Sequence, residues 1–273
     1  MHHWHHPTIR LHLHSNGRPD RPGLQKIPRK SSLRRRGNSI KENTAMDQKM
    51  DVGAAFSYIA KDEAWVKKLI IGSILVFTGI GTIPALGWML AIVRKAIKDD
   101  FDLPEWSNFG TLVIDGLKYV IAFGVYYIPI VMIAMIVFLP MGLSDILFEE
   151  APELAFPILL ISLAFMPFVF VLSLILMFVQ PALTAILADT GSIFEAINPM
   201  NMYRLYKANF GEYIVAMILG GYGVTYLASF GFYLFCVGMY PAQIYAYTVQ
   251  GHLFGQAYRR AKASLELAEQ TAA

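Results

Sequence analysis

The sequence has a single cysteine, Cys236, in 273 residues. One thiol excludes a disulfide framework, and the apolar neighbours of Cys236 indicate a small buried side chain. Charge is scarce as well, since Asp, Glu, Lys and Arg make up 16% of the chain, against roughly a quarter in soluble domains. With 55% hydrophobic residues, this composition excludes an ordinary soluble domain and indicates a membrane protein.

The scarcity of charge is concentrated in three long stretches without any Asp, Glu, Lys or Arg, at 119–144, 154–188 and 213–258. A helix needs about 20 mainly apolar residues to cross a bilayer, so each stretch is long enough for one crossing and the last for two. The sequence therefore predicts an all-α polytopic membrane protein. Its four predicted transmembrane helices are 112–139, 154–188, 213–236 and 241–258.

A fifth apolar segment, 69–93, is broken by two glycines and by Pro84 within residues 79–84. One interpretation is a single tilted span. The other is a re-entrant pair of half-helices that meet at this break. Residues 51–66 and 189–212 mix apolar with charged residues, which predicts amphipathic helices at the membrane surface.

Lys and Arg are unevenly shared among the connecting loops. The 94–118 loop has four, the 189–212 loop has two and the C-terminal tail has three, whereas the loops 140–153 and 237–240 have none. Because short cytoplasmic loops are enriched in Lys and Arg, the C-terminus of this cell-membrane protein is predicted to lie in the cytoplasm. The same rule favours the re-entrant pair, which keeps all the basic residues on that side.

Residues 1–45 show no apolar periodicity and hold six of the seven histidines. We predict a disordered basic leader. A second interpretation places the native start at Met46 or Met50, because Lys41-Glu42-Asn43 can be encoded by codons that resemble a bacterial ribosome-binding site. A metal-binding tract is less favoured, since composition alone indicates it. The predicted domains are the leader 1–45, a single helical membrane domain 46–262 and a short cytoplasmic tail 263–273.

Candidate functional residues are few in the membrane domain. Asp115 and Lys118 lie three apart on one helix, a spacing that predicts an ion pair. Gln180 is predicted to hydrogen-bond to a neighbouring helix, and small residues are predicted to let helix backbones approach closely. No catalytic, cofactor or metal site is predicted, because the sequence lacks the motifs His-Glu-x-x-His, Gly-x-Ser-x-Gly and Gly-x-Gly-Asp. The small residues that are predicted to let helix backbones approach closely are Gly220, Gly221, Gly251 and Gly255.

Five short motifs have a combined pattern that is specific to a family. They are Asp51-Val-Gly-Ala-Ala-Phe-Ser-Tyr58, Trp65-Val-Lys-Lys68, Gly87-Trp-Met-Leu-Ala-Ile-Val-Arg94, Leu103-Pro-Glu-Trp106 and Asp115-Gly-Leu-Lys118. Together they resemble an uncharacterised prokaryotic membrane family, domain-of-unknown-function family 4013, through most of residues 51–262. The resemblance implies the multi-pass architecture and brings no established activity.

The motifs and the helix patterns together give one set of structural and interfacial candidates. They are Trp65, Pro84, Arg94, Leu103, Pro104, Glu105, Trp106, Asp115, Lys118, Gln180, Gly220, Gly221, Gly251 and Gly255.

Two functions remain open on the sequence. A non-enzymatic scaffold, assembly factor or accessory module is favoured, because ionisable residues in the membrane core would be the usual mark of an ion pathway. The alternative is a small-molecule or lipid transporter or a lipid-binding protein, because broken helices often line binding sites. The expected partners are membrane lipids and other membrane proteins through the glycine-rich helix faces, with no nucleic acid.

Overall fold

The computed structural model describes residues 50–100, 102–233 and 237–272. The predicted leader 1–45 lies outside these residues. Within them the chain is helical and has no strand, which confirms the all-α prediction. The helices are α1 (Val52–Ser57), α2 (Trp65–Phe77), α3 (Thr82–Ile97), α4 (Phe109–Gly142), α5 (Ser144–Glu150), α6 (Pro152–Thr190), α7 (Ile193–Ala196), α8 (Pro199–Ala208), α9 (Phe210–Tyr233, with a π-helical stretch at Ala216–Gly223) and α10 (Met239–Ala272).

Three of these helices, α4, α6 and α9, are long and apolar enough to cross a membrane. The prediction of several membrane helices is confirmed for these three, but the count of four is not. The remaining predicted span, 241–258, lies within α10. It has no charged residue but carries Gln243, Gln250 and Gln256, and amides lower the apolar character of a helix even though they are neutral.

The broken segment 69–93 belongs to two helices, because α2 ends at Phe77 and α3 begins at Thr82. Their 13 and 16 residues are fewer than the about 20 that a crossing needs. Gly79 turns the chain with a φ of +76°, a conformation that favours glycine. Pro84 lies in the first turn of α3, where a missing N–H leaves no helical hydrogen bond unmade.

Helices α3 and α10 form the centre of the bundle. Trp88 of α3 and Phe254 of α10 are both fully buried. Small residues bring the helix backbones together: a Cβ on Gly251 would lie 3.1 Å from the Met89 carbonyl oxygen, and one on Gly255 would lie 2.8 Å from that of Val93. The glycine face of α10 therefore packs against α3 within the same chain. Gly220 of α9 contacts α10 in a similar way.

Helices α4 and α6 form a long hairpin joined by α5. Their outer faces expose large apolar side chains such as Ile136, which is 70% exposed, and Phe170, which is 64% exposed. The last part of α6 differs, because residues 181–188 are buried in the bundle. The connection between the two helices carries acidic residues and no basic ones.

The two segments that were predicted as amphipathic helices are each divided. Residues 51–66 contain α1, a 3-10 turn at Ile59–Lys61 and the start of α2. Tyr58 there is fully buried, and its ring lies 4.7 Å from that of His252 on α10, so this segment docks into the bundle. Residues 189–212 contain α7 and α8, and α8 begins at Pro199 with Asn198 as its cap.

Candidate functional site

The motif Leu103-Pro104-Glu105-Trp106 lies in the loop between α3 and α4 and contacts both α2 and α3. The Trp106 ring stacks on that of Trp88 at a centroid distance of 4.9 Å. The Trp106 indole N–H donates to the Lys68 carbonyl oxygen at 3.0 Å, and that of Trp88 donates to the Pro104 carbonyl oxygen at 2.9 Å. Two helices that are too short to cross the membrane are thereby fixed to each other by one loop.

Lys68 is the charged centre of this loop contact, and it is 4% exposed. Its ammonium group lies 2.7 Å from the Asp62 carboxylate and 2.6 Å from that of Glu105, and it donates to the Leu103 carbonyl oxygen at 3.0 Å. Burial acts to lower the pKa of Lys68, but hydrogen bonds from Lys68 to the two carboxylates raise it overall. Burial likewise opposes ionisation of Asp62, yet its bonds from Lys68 and the Ala64 N–H hold its pKa below the ordinary value. We call Asp62, Lys68, Leu103, Glu105 and Trp106 the loop clamp.

Trp65, another candidate from the sequence, begins α2 near the loop clamp and is 38% exposed. It is part of neither the clamp nor the bundle core. An exposed tryptophan at a helix start is typical of the membrane–water interface.

The carboxyl end of α6 is held by two cations. Arg94 donates to the Ala188 carbonyl oxygen at 2.9 Å and to the Asp115 carboxylate at 2.5 Å. Lys118 donates to the Gly191 carbonyl oxygen at 3.0 Å. The predicted Asp115–Lys118 pair is therefore replaced by two contacts with other elements. Positive groups at the end of a helix compensate its unpaired carbonyls and its dipole.

Further ion pairs lie at the same end of the bundle. Lys262 contacts Asp189 at 2.8 Å, and Arg260 contacts Glu212. Tyr258 also donates to Asp189, at 2.9 Å. These contacts connect the end of α6 and the start of α9 to α10, and we call them the ion-pair belt. No group of three His, Cys, Asp or Glu side chains that could hold a metal ion is present in the described ranges.

A cavity of about 410 Å³ lies among α3, α4, α6, α9 and α10. This size is within the usual range for small-molecule sites. Hydroxyl and amide groups dominate its polar lining, and none of its lining residues in the described part of the chain is charged. The Tyr119 hydroxyl lies near the side chains of Gln180 and Thr184. The polar lining residues are Tyr119, Gln180, Tyr222, Thr225, Tyr226, Ser229, Gln243, Tyr247 and Gln250.

A second cavity, of about 270 Å³, lies beside the first between α4, α6 and α9. The two share Gln180 and Tyr222 in their linings. The second is mostly apolar, with Phe123 and Phe138 on α4 and Val169 on α6. The polar cavity therefore adjoins a more apolar groove along the hairpin at Gln180 and Tyr222.

The structure places only two of the candidate residues in the polar cavity, Gln180 and Gly221. Except for Trp65, Pro84 and Pro104, the others lie in the loop clamp, the ion-pair contacts or the helix crossings. The candidates predicted from the sequence did not include three polar residues of α10, namely Gln243, Tyr247 and Gln250. Their spacing of four and three residues places them on one helix face, and this was the signal that could have predicted them.

The comparisons with known proteins agree with the resemblance seen in the motifs. A family model described as "Protein of unknown function (DUF4013)" matches residues 70–242, which is more than half of the chain. The resemblance to this family is thereby confirmed. No curated protein and no solved structure matches the chain.

Proposed function

The chain belongs to the DUF4013 family, and we propose that it is a multi-pass protein of the cell membrane that holds a lipid or another small amphiphile between its helices. The observation that carries the proposal is the cavity of about 410 Å³ that five helices share. Hydroxyl and amide groups line it, and it adjoins a more apolar groove at Gln180 and Tyr222. Pockets of mainly apolar walls with a few convergent polar groups are typical of ligand sites. The protein is proposed to act without catalysing a reaction.

Filling the cavity tests this proposal. A Cβ on Gly221 would lie 3.7 Å from Gln180 Oε1, an ordinary contact, so a larger side chain at this position has room to enter the cavity. We expect Gly221→Leu to fold and to lose at least about nine-tenths of the lipid or amphiphile that co-purifies with the wild type, roughly the effect of 1.4 kcal/mol. The retained molecules are counted per protein by mass spectrometry after purification in detergent.

The matched control is Gly124→Leu. A Cβ at Gly124 also has its nearest neighbour at 3.7 Å, the Ile128 side chain, but Gly124 lines neither cavity. This variant should retain the wild-type amount of ligand. Equal retention by the two variants, or no retained molecule in the wild type, would contradict a ligand site in the cavity.

The proposed topology includes α10 as a fourth span, with its end in the cytoplasm. The ion-pair belt supports this orientation, since Arg260 and Lys262 lie at the same end as Arg94 and Lys118. Basic residues concentrate on the cytoplasmic side. The helices α2 and α3 then enter the membrane and return, because the loop clamp joins them and each is too short to cross.

Cysteine labelling tests the topology. In a chain with Cys236 replaced by serine, we expect single cysteines at Ala60 and Glu269 to be protected from an impermeant maleimide added to intact cells. Both positions are exposed in the structure. A cysteine at Glu149, in the acidic α5, should react under the same conditions. Labelling at Ala60 without labelling at Glu269 would instead support a full crossing by α2 and α3.

The scaffold or accessory role is the second candidate function. It is favoured by the α4–α6 hairpin, whose outer faces are apolar over most of their length and could accommodate another membrane protein. Two of the glycines that were predicted to contact partner proteins, Gly251 and Gly255, instead pack against α3 of the same chain. Recovery of a stoichiometric protein partner after native purification, without a retained small molecule, would favour this role.

A further inference from the structure

The lining of the polar cavity narrows the class of ligand. Its polar groups are the amides of three glutamines and the hydroxyls of Tyr, Thr and Ser. These groups donate and accept hydrogen bonds but supply no counter-charge. An ionised phosphate or ammonium in this cavity would be unpaired, and a buried unpaired charge is strongly unfavourable. The lining therefore selects a neutral ligand with hydrogen-bonding groups.

The depth of the cavity leads to the same conclusion. Gln180 lies nine positions before Asp189 on α6, and Gln250 lies nine positions before Arg259 on α10. The end of α6 meets α10 where Lys262 contacts Asp189. At the rise of an α-helix both amides are about 14 Å from the ion-pair belt, close to the middle of a hydrocarbon core of about 30 Å. Charge is most unfavourable at this depth.

The apolar groove has the dimensions for a lipid tail. Its lining on α4 extends from Phe123 to Phe138, which corresponds to about 22 Å along the helix. This exceeds the about 15 Å thickness of one hydrocarbon leaflet. Because Gln180 and Tyr222 line both cavities, a single molecule can place a polar head in one and a chain in the other.

We propose that the two cavities bind a membrane lipid with an uncharged, hydroxyl-bearing head, of the diacylglycerol class. The head lies among Tyr119, Gln180, Tyr222 and Gln250, and one acyl chain lies in the groove between α4 and α6. This assignment rests on the proposed function, since it names the ligand of the same site.

Two lipids with the same acyl chains and different heads test the proposal. The full chain is reconstituted in phosphatidylcholine nanodiscs that contain equal amounts of dioleoylglycerol and anionic dioleoylphosphatidylglycerol. After re-extraction in detergent and repurification, the retained lipids are counted per protein by mass spectrometry. We expect dioleoylglycerol to be retained about tenfold or more over the anionic lipid, and Gly221→Leu to abolish this retention.

Removing single polar groups provides an independent measurement. Tyr222→Phe deletes one hydroxyl that lines both cavities, and we expect it to lower dioleoylglycerol retention about fivefold, the usual effect of one lost hydrogen bond. Gln180→Met, which keeps the side-chain length, should act in the same direction. The control is Tyr203→Phe on α8, where the residue is 62% exposed and no change is expected.

The possible failures are distinguishable. Retention of the anionic lipid, or of both lipids equally, with loss in Gly221→Leu would overturn the uncharged head and leave the proposed function intact. An unchanged preference in both Tyr222→Phe and Gln180→Met, with both variants folded, would place the head outside the cavity. Retention of neither lipid by the wild type would overturn the diacylglycerol assignment, and the absence of any other retained small molecule would contradict the proposed function as well.

Discussion

Gly87→Ala is expected to destabilise the protein although it adds a single methyl group. A Cβ on Gly87 would lie 1.9 Å from the Leu112 carbonyl oxygen on α4. The crossing is reciprocal, because a Cβ on Gly116 would lie 1.9 Å from the Ile83 carbonyl oxygen on α3. Both obstacles are backbone atoms, so the helices must separate before the methyl group fits.

Overpacking of this kind usually lowers the free energy of unfolding by about 1–3 kcal/mol. For a chain of this size that corresponds to a fall of roughly 2–12 °C in the thermal unfolding midpoint. The midpoint is measured on detergent-purified protein by size-exclusion chromatography of heated samples. Gly116→Ala should show a loss of similar size, since it meets the same crossing from the other helix.

Gly124→Ala is the matched control on α4. A Cβ there has its nearest neighbour at 3.7 Å, the end of the Ile128 side chain. In a helix interior the exchange of glycine for alanine normally stabilises by roughly 0.5–1 kcal/mol. The two substitutions are therefore expected to shift the midpoint in opposite directions. Equal midpoints for Gly87→Ala and Gly124→Ala would show that the α3–α4 contact is looser than the structure has it.

The crossing at Gly87 also illustrates what the sequence could predict. Absence of charge identified α4, α6 and α9, because lipid-facing helices must be apolar over their length. Nothing in the sequence identified Leu112 and Ile83 as the partners of Gly87 and Gly116, since the requirement for glycine depends on the distance between two helices. The contact is visible only once both helices are in place.

The polar cavity was missed for a different reason. Its signal is local, because Tyr222, Thr225 and Ser229 repeat at helical spacing, as do Gln243, Tyr247 and Gln250. A count of charged residues does not separate neutral polar residues from apolar ones, so it gives no signal for this cavity. The predicted Asp115–Lys118 ion pair is not formed. Helical spacing makes this contact possible, but Asp115 pairs with Arg94 instead, and Lys118 donates to the Gly191 carbonyl oxygen.

Lys68→Met is expected to have the largest effect of any single substitution in the loop clamp. It leaves the Asp62 carboxylate, whose side chain is 12% exposed, without its cation, while the Glu105 side chain is 67% exposed and can be solvated. Removing one partner of a buried ion pair usually destabilises by about 3–5 kcal/mol. Because Glu105 is exposed, we expect the free energy of unfolding to fall by about 2–4 kcal/mol. The fall is measured through the thermal unfolding midpoint.

The pH dependence follows from the two pKa shifts. The pKa of Asp62 lies below its ordinary value of 3.8 in the folded protein, so its contribution is present above 3.8 and is lost as the pH falls through the folded pKa. The pKa of Lys68 lies above 10.5, so its contribution is present below 10.5 and is lost as the pH rises through the folded value. The difference in the free energy of unfolding between the wild type and Lys68→Met should therefore be constant between about pH 5 and pH 9. It should become smaller in stronger acid.

The neighbouring Lys67 separates the clamp from a general effect of charge. Lys67 is exposed and is one residue away from Lys68, so Lys67→Met removes the same charge from the same helix turn. Its free energy of unfolding should stay within about 0.5 kcal/mol of the wild-type value, as is usual for surface substitutions. If both variants lost the same stability, basic charge near the membrane surface would explain the effect. A loss confined to Lys68→Met assigns it to the contacts with Asp62, Glu105 and Leu103, through which this loop fixes α2 to α3.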